Sequence, residues 1–187
     1  MHDRLANLER QVVELLRGNL GVAARADGAP VVTADSSAAG GAIRLVLSEM
    51  RREVPYDSCS VQELRGDRLV IVGGVGFADL DVLLGESFDV RGSDIPNSEV
   101  IYRRRPVIVG DTEQYRAFRR GLHVGEGIRS WLGVPLLHDE QLLGMIALDK
   151  VEPDAYGAHD AVIATAFAAL IARALAGPQT GVSGVAT

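Results

Sequence analysis

The sequence predicts an α+β domain: a largely antiparallel sheet with helices on one face and a roof of loops and short helices on the other. Three observations lead there. Strand-like runs come in pairs joined by short polar turns, Arg65-Gly66-Asp67 and His138-Asp139-Glu140, and turns that short connect antiparallel neighbours. Two helical stripes, over 42–53 and 157–176, supply the apolar surface that covers one face. The irregular segments 77–105 and 110–128 are left for the other face, and a cavity between a sheet and such a roof is a favoured place for a small ligand.

The elements follow in order. Leu5, Leu8, Val12 and Leu15 are spaced 3, 4, 3, a heptad seam over a helix at 3–17. Two heptads are too short to be stable alone, so the stripe either packs on its own domain or pairs with a partner chain. Residues 18–41, rich in Gly, Ala, Ser and Asp, read as a linker with a short extended piece at Val31-Val32. A helix over 42–53 carries Ile43, Val46, Leu47 and Met50, and Pro55 ends it. Ser58 to Leu64 and Arg68 to Gly73 form a strand pair. A short helix at 78–84, a strand at 86–90, a helix opened by Asn97 or Ser98 and stopped by Pro106, and a strand at 107–109 come next. The hairpin 130–137/141–149 follows, then a long helix whose stripe is Val162, Ile163, Ala166, Phe167, Leu170, Ile171 and Leu175. Residues 177–187 read as a flexible tail.

Composition bounds the function. With 187 residues, 47% hydrophobic and 24% charged, the chain makes one soluble domain with a short appendage. Aromatics are 5%, so the core rests on Val, Leu, Ile and Ala. A net charge of −6 argues against nucleic acid or an anionic membrane as the main partner. Cys59 is the single cysteine, which rules out an intrachain disulfide and a Cys-rich zinc site and suits a reducing cytoplasm. The amphipathic N-terminus lacks the apolar core of a signal peptide. No stretch looks apolar enough, over roughly 20 residues, to span a membrane. A cytoplasmic location is expected.

VPYDSCSVQEL (54–64), GSDIPNSEVIYRRRPVIVGDT (92–112), GIRSWLGVPLLHDEQLLGMIALDK (127–150) and the closing FAALIARAL (167–175) together resemble a GAF domain. The resemblance covers about residues 42–176 in the family's order, and SWLGVPL followed by LLGMIALD is its most specific part. It implies a central antiparallel sheet of about six strands with a ligand cavity on one face. It also implies dimerisation through flanking helices, here Leu5, Leu8, Val12 and Leu15 with the 157–176 helix. Its members mostly sense small molecules in bacterial regulatory proteins, passing the signal to a kinase, cyclase or transcription-factor output domain. Within this reading the 130–149 hairpin is scaffold, with Gly133 and Gly144 allowing close approach of neighbouring elements.

The chemistry such a domain hosts narrows on inspection. GAF-like free methionine sulfoxide reductases use several cysteines; Cys59 has no resolving partner, and a small core residue is the simpler role. Ser93-Asp94-Ile95-Pro96 is similar to the Asp-Ile-Pro of bilin-binding members, but His123 has Leu122 and Val124 beside it rather than an attachment Cys. His123 alone among the four histidines lies in the roof where haem would need an axial ligand. The Asn-Lys-x-Phe-x-Asp-Glu signature of cyclic-nucleotide binders is missing, and Lys150 is the one lysine. Arginines at 103–105, 116, 119 and 120 could attract phosphate or form a solvated basic face. GGxG at 73–76 lacks a following P-loop Lys, no nucleophile-elbow or HExxH spacing occurs, and Asp111 and Glu113 suit a turn. Bilin and haem are therefore not expected, nor is catalysis. From roof position and side-chain type, the expected ligand-lining residues are Phe77, Phe88, Val90, Asp94, Tyr102, Tyr115, Phe118, Ile128, Ser130 and Trp131. If those aromatics fill the cavity instead, the domain is a ligand-free dimerisation or partner-binding module.

Overall fold

A computed structural model describes residues 1–17, 32–33, 38–92, 94–118 and 127–176. The expected tail, most of the expected linker and His123 lie outside the described residues.

Helix α1 (His2–Leu16) and α2 (Ala38–Glu53), with the two-residue strand β1 (Val32–Thr33) between them, precede the hairpin β2 (Ser58–Arg65) and β3 (Arg68–Val75). Next come α3 (Leu80–Leu83), β4 (Ser87–Asp89), α4 (Pro96–Arg103) and β5 (Val107–Val109). The hairpin β6 (Ser130–His138) and β7 (Gln141–Lys150) and the closing helix α5 (Ala158–Ala176) complete the chain. The strands form one sheet in the order β1-β3-β2-β7-β6-β5, with β4 also on β3. Every pairing is antiparallel. This is the expected α+β architecture, with β1 as an added edge strand.

Period-two alternation divides each central strand between two interiors. Cys59 and Val61 of β2, Leu132, Val134 and Leu136 of β6, and Ile146 and Leu148 of β7 face the helices. Leu69 of β3, Trp131 of β6, and Met145 and Ala147 of β7 face the roof with Val90, Val100 and Val109. Because both faces are covered, β6 is buried from Ser130 to Leu136. Gly144 lets the central strands come together: its φ is +154°, and a Cβ there would run into the Gln62 carbonyl of β2.

Helix α1 uses its seam at home. Leu8, Val12 and Leu15 are buried against α2 and α5 of the same chain, each contributing about 1.5–3 kcal/mol of apolar burial. Three of the four α1 positions expected at a dimer interface are therefore unavailable to a partner, and of that set only Leu5 remains partly exposed. In α5, Val162 is 67% exposed and does not belong to the buried stripe. It shares its helix face with Thr165 and Ala169, three and seven residues on, and both are exposed. The buried face runs instead through Ile163, Phe167, Leu170, Ile171 and Ala174.

Helix α5 is also long and apolar enough to cross a membrane by length and composition, contrary to the expectation from the sequence. Half of its most apolar window is buried inside the domain, against β6 and α2. A core helix sandwiched in this way meets the same length and composition criteria.

Candidate functional site

The cleft lies between the roof face of the sheet and the start of α4. Strand β2 alternates polar residues onto this face. Ser58, Ser60 and Gln62 are all buried, while Cys59 and Val61 between them face the helices. Ser60 and Gln62 line the cleft floor with Ala147 and Asp149 of β7 and Trp131 of β6. Ile71, Phe77 and Phe88 form one wall, and Ile95, Pro96 and Asn97 at the head of α4 form another, with Phe118 and Ile128. Gly133, also on this face, leaves room for the indole: a Cβ there would strike the Trp131 ring and Val100.

A chain of hydrogen bonds organises the polar residues. Asn97 Nδ2 donates to Gln62 Oε1 at 3.1 Å, and Gln62 Nε2 donates to Ser60 Oγ at 2.9 Å. Ser58 Oγ donates to Asp149 Oδ2 at 2.7 Å. Asp149 stands opposite Trp131 in the β6–β7 ladder and is 4% exposed. Burial pushes its carboxyl up to about 7; the Ser58 hydroxyl lowers it and the Asp57 charge adds to the rise. Asp149 is thus a carboxyl that exchanges its proton near neutrality inside a closed space.

The cleft is nearly full, with a cavity volume of about 40 Å³. Phe118 fills the space by packing edge-on against Trp131, ring centroids 6.3 Å apart and planes at 76°, an attractive T-shaped geometry. The segment bearing Phe118 is moored at its other end. Arg129 donates to both carboxylate oxygens of Asp111 at 3.1 and 3.0 Å. That fork holds the Asp111 carboxyl down to about 2. Thr112 reinforces it, donating Oγ1 to the Ile128 carbonyl at 2.6 Å and its backbone N–H to the Arg129 carbonyl at 2.8 Å.

Of the residues expected from the sequence, Phe77, Phe88, Phe118, Ile128 and Trp131 line this cleft. Val90 and Tyr115 pack in the adjoining roof-side core. Asp94 lies on an outer groove. Ser130 is fully buried, and its hydroxyl has no hydrogen-bond partner among the described residues. Tyr102 is 63% exposed and belongs to no ligand wall: α4 buries Ser98, Val100 and Ile101, which turns Tyr102 to solvent. Sequence reasoning missed Ser60, Gln62, Asn97 and Asp149. The signal for the first two was present in the polar–apolar alternation of SCSVQ.

One other place can be compared with the cleft. A surface groove of about 920 Å³ between α1, α5 and the β6–β7 turn is walled by Leu5, Val13, Leu16, Leu137 and Leu170. His2, Glu9, Arg17, His138, Asp139 and Arg173 share its lining. Among the described residues no group of three or more His, Cys, Asp or Glu side chains comes together to hold a metal ion.

Residues 36–176 match the family model of the GAF domain. No curated protein matches the sequence significantly. Among solved structures, the chain is similar to the GAF domain of a phosphoenolpyruvate-protein phosphotransferase from Coxiella burnetii, with 16% identity, 92% of each chain covered and a TM-score of 0.66. It is similar to the GAF domain of the Acinetobacter phosphoenolpyruvate-protein phosphotransferase at 14% identity over 94% of this chain and 95% of that one, with a TM-score of 0.65. A type II free methionine-R-sulfoxide reductase from Thermoplasma acidophilum shares the fold at 18% identity over 71% of this chain and 94% of that one, TM-score 0.56. At these identities the structural likeness carries the fold and not the chemistry.

Proposed function

The chain belongs to the GAF domain family, and from that premise we propose that it is a small-molecule-sensing domain of a regulatory protein, with residues 42–176 as the sensing unit. The observation that supports this is the convergence of Ser60, Gln62, Asn97 and Asp149 in a cleft whose other lining is apolar, four aromatic rings among it. Apolar pockets with a few placed polar groups are the usual form of a small-ligand site.

The mechanism works through β6. Trp131 faces the cleft, and the neighbouring Leu132 faces α5. A ligand that displaces Phe118 from Trp131 favours an open arrangement of the roof, and β6 carries the difference to α5. The shift equals the ligand's differential affinity for the two arrangements. A homodimer through the exposed face of α5 around Val162, with the groove beside Leu5, would pass the change to a kinase, cyclase or transcription-factor output domain.

Catalysis has no part in this reading. Cys59 is fully buried on the helix face, away from the cleft, and burial pushes its thiol well above the ordinary range, which suppresses the reactive thiolate.

Native mass spectrometry of the purified protein, paired with a thermal-shift screen of metabolites, tests the proposal. A reproducible extra mass lost on denaturation, or a metabolite whose Tm shift disappears in Gln62→Ala, supports it. A ligand at 100 times its Kd adds about 2.7 kcal/mol, a shift of several degrees for a domain this size. The cavity volume of about 40 Å³, against roughly 300–1,000 Å³ for drug-sized sites, favours a second reading, a ligand-free dimerisation or partner-binding module. A bare protein that no metabolite stabilises would move the assignment to that reading.

A further inference from the structure

Resting on the small-molecule reading, the geometry points to the chemical class of the ligand: a compact anion, carboxylate or phosphate monoester, held at the cleft mouth by Arg68 and Arg116, with a short uncharged tail inside.

The cleft does not end at its aromatic wall. Phe88, Ile95 and Phe118 have a second side, which lines an outer groove of about 720 Å³. Among the described residues, those three form the partition shared by the two spaces. When Phe118 leaves Trp131, groove and cleft become one continuous site.

The groove differs from the rest of the molecule in charge. The chain carries a net −6, yet the groove is lined by Arg68, Arg91 and Arg116 against Asp89 and Asp94. Arg91 is committed to an ion pair with Asp67, and an Asp89 oxygen accepts from the Arg91 backbone N–H. Neither of the two remaining cations is in an ion pair among the described residues. Arg116 has no hydrogen-bond or ion-pair partner among the described residues. Arg68 donates Nε and one terminal nitrogen to Ser87 Oγ, at 3.1 and 2.6 Å. That contact fixes the guanidinium plane and leaves its other donors for a ligand. A planar guanidinium matches two oxygens of a carboxylate or phosphate at once. Asp94 and Asp89 oppose them on the same rim.

The floor sets the orientation. Among the described residues the one ionisable side chain lining the cleft is an acid, Asp149, so a ligand's negative charge belongs at the mouth. The inner end meets Ser60, Gln62 and Asn97, which are neutral.

The test is a titration of the ¹⁵N-labelled full chain with butyrate, butyl phosphate, butanol and butylamine, with inorganic phosphate as the tail-less control. The expected result is saturable shifts at Phe118 and at the Trp131 indole N–H with butyrate or butyl phosphate, and none with butylamine. The double variant Arg68→Ala/Arg116→Ala, whose positions are exposed, should bind the anion at least about tenfold more weakly. The double variant Arg68→Lys/Arg116→Lys should recover part of the loss, because charge returns without the fork. Butanol or butylamine binding as tightly, or an unaffected double variant, overturns the anion assignment and leaves the cleft reading in place. Inorganic phosphate binding as tightly as butyl phosphate, with the indole signal unmoved, overturns the continuity of groove and cleft. No response to any anion overturns the inference outright. The metabolite screen then decides the broader reading separately, since a neutral or cationic hit would preserve it.

Discussion

The two faces of the sheet are made from the same strands and built to different ends. The helix face is one continuous apolar cluster running through α1, α2, α5 and the central strands. The roof face is broken into two smaller clusters around Trp131 and Ile71, interrupted by Ser60, Gln62 and Asp149. An apolar face of this kind stores stability, since each buried methylene adds to it, and its Tyr56 hydroxyl is satisfied locally by the Leu47 carbonyl. The polar floor gives up some of that stability for groups that can be satisfied in more than one way. The contrast teaches where a fold can host a response without risking its integrity.

The largest test of that contrast is Leu148→Ala on the helix face against Phe118→Ala on the roof. Leu148 is fully buried, and its truncation should cost about 2–5 kcal/mol, cavity included. Phe118 is partly exposed, so its truncation should cost markedly less while opening the cleft. Urea midpoints measure both. Equal losses would break the distinction.

Asp149 sharpens it through pH. Its folded carboxyl is raised to about 7 from an ordinary 3.8, so between those values the folded state binds a proton that the unfolded state has released. Stability from this group is complete below about pH 4 and is lost as pH rises through 7, by at most about 1.4 kcal/mol per unit. Asp149→Asn should flatten the urea midpoint across that window and make the variant the more stable protein at pH 8. A parallel offset at every pH would remove Asp149 as the titrating group.

Arg129→Ala gives a smaller, local effect. Without the fork to Asp111, amide hydrogens from Thr112 to Phe118 should exchange faster while those of β7 keep their protection. Uniform loss of protection would show that the mooring supports the whole fold. Least of all, Val162→Glu should leave the urea midpoint within about 0.5 kcal/mol of the parent. If α5 carries the dimer, the same change should shift the oligomer towards monomer by light scattering.

The sequence spoke clearly about elements and less clearly about faces. Short turns and period-two runs placed the two hairpins, β2–β3 and β6–β7, and the strand–turn–strand pattern from Ser130 to Lys150 was legible to within a residue at each end. Periodicity reports that a residue is on a face, not which neighbour covers that face. Leu8, Val12 and Leu15 therefore read equally as a home contact or a partner contact until α2 and α5 were seen on them. The ring of Tyr102 suggests a ligand contact, but side-chain type does not say which way a short helix is turned. Ser60, Gln62 and Asp149 went unnoticed for the opposite reason. Polar residues in a strand suggest solvent, and only the roof makes them interior.

Trp131 is the chain's one tryptophan, and it stands on the cleft floor, 3% exposed, between Phe118 and Asp149. The molecule therefore contains its own optical probe, placed at the spot where a ligand would arrive. Its emission comes from a single site with no second indole to dilute it. Water reaching the ring as Phe118 withdraws would send that emission to longer wavelength, and a ligand sealing the space would send it back.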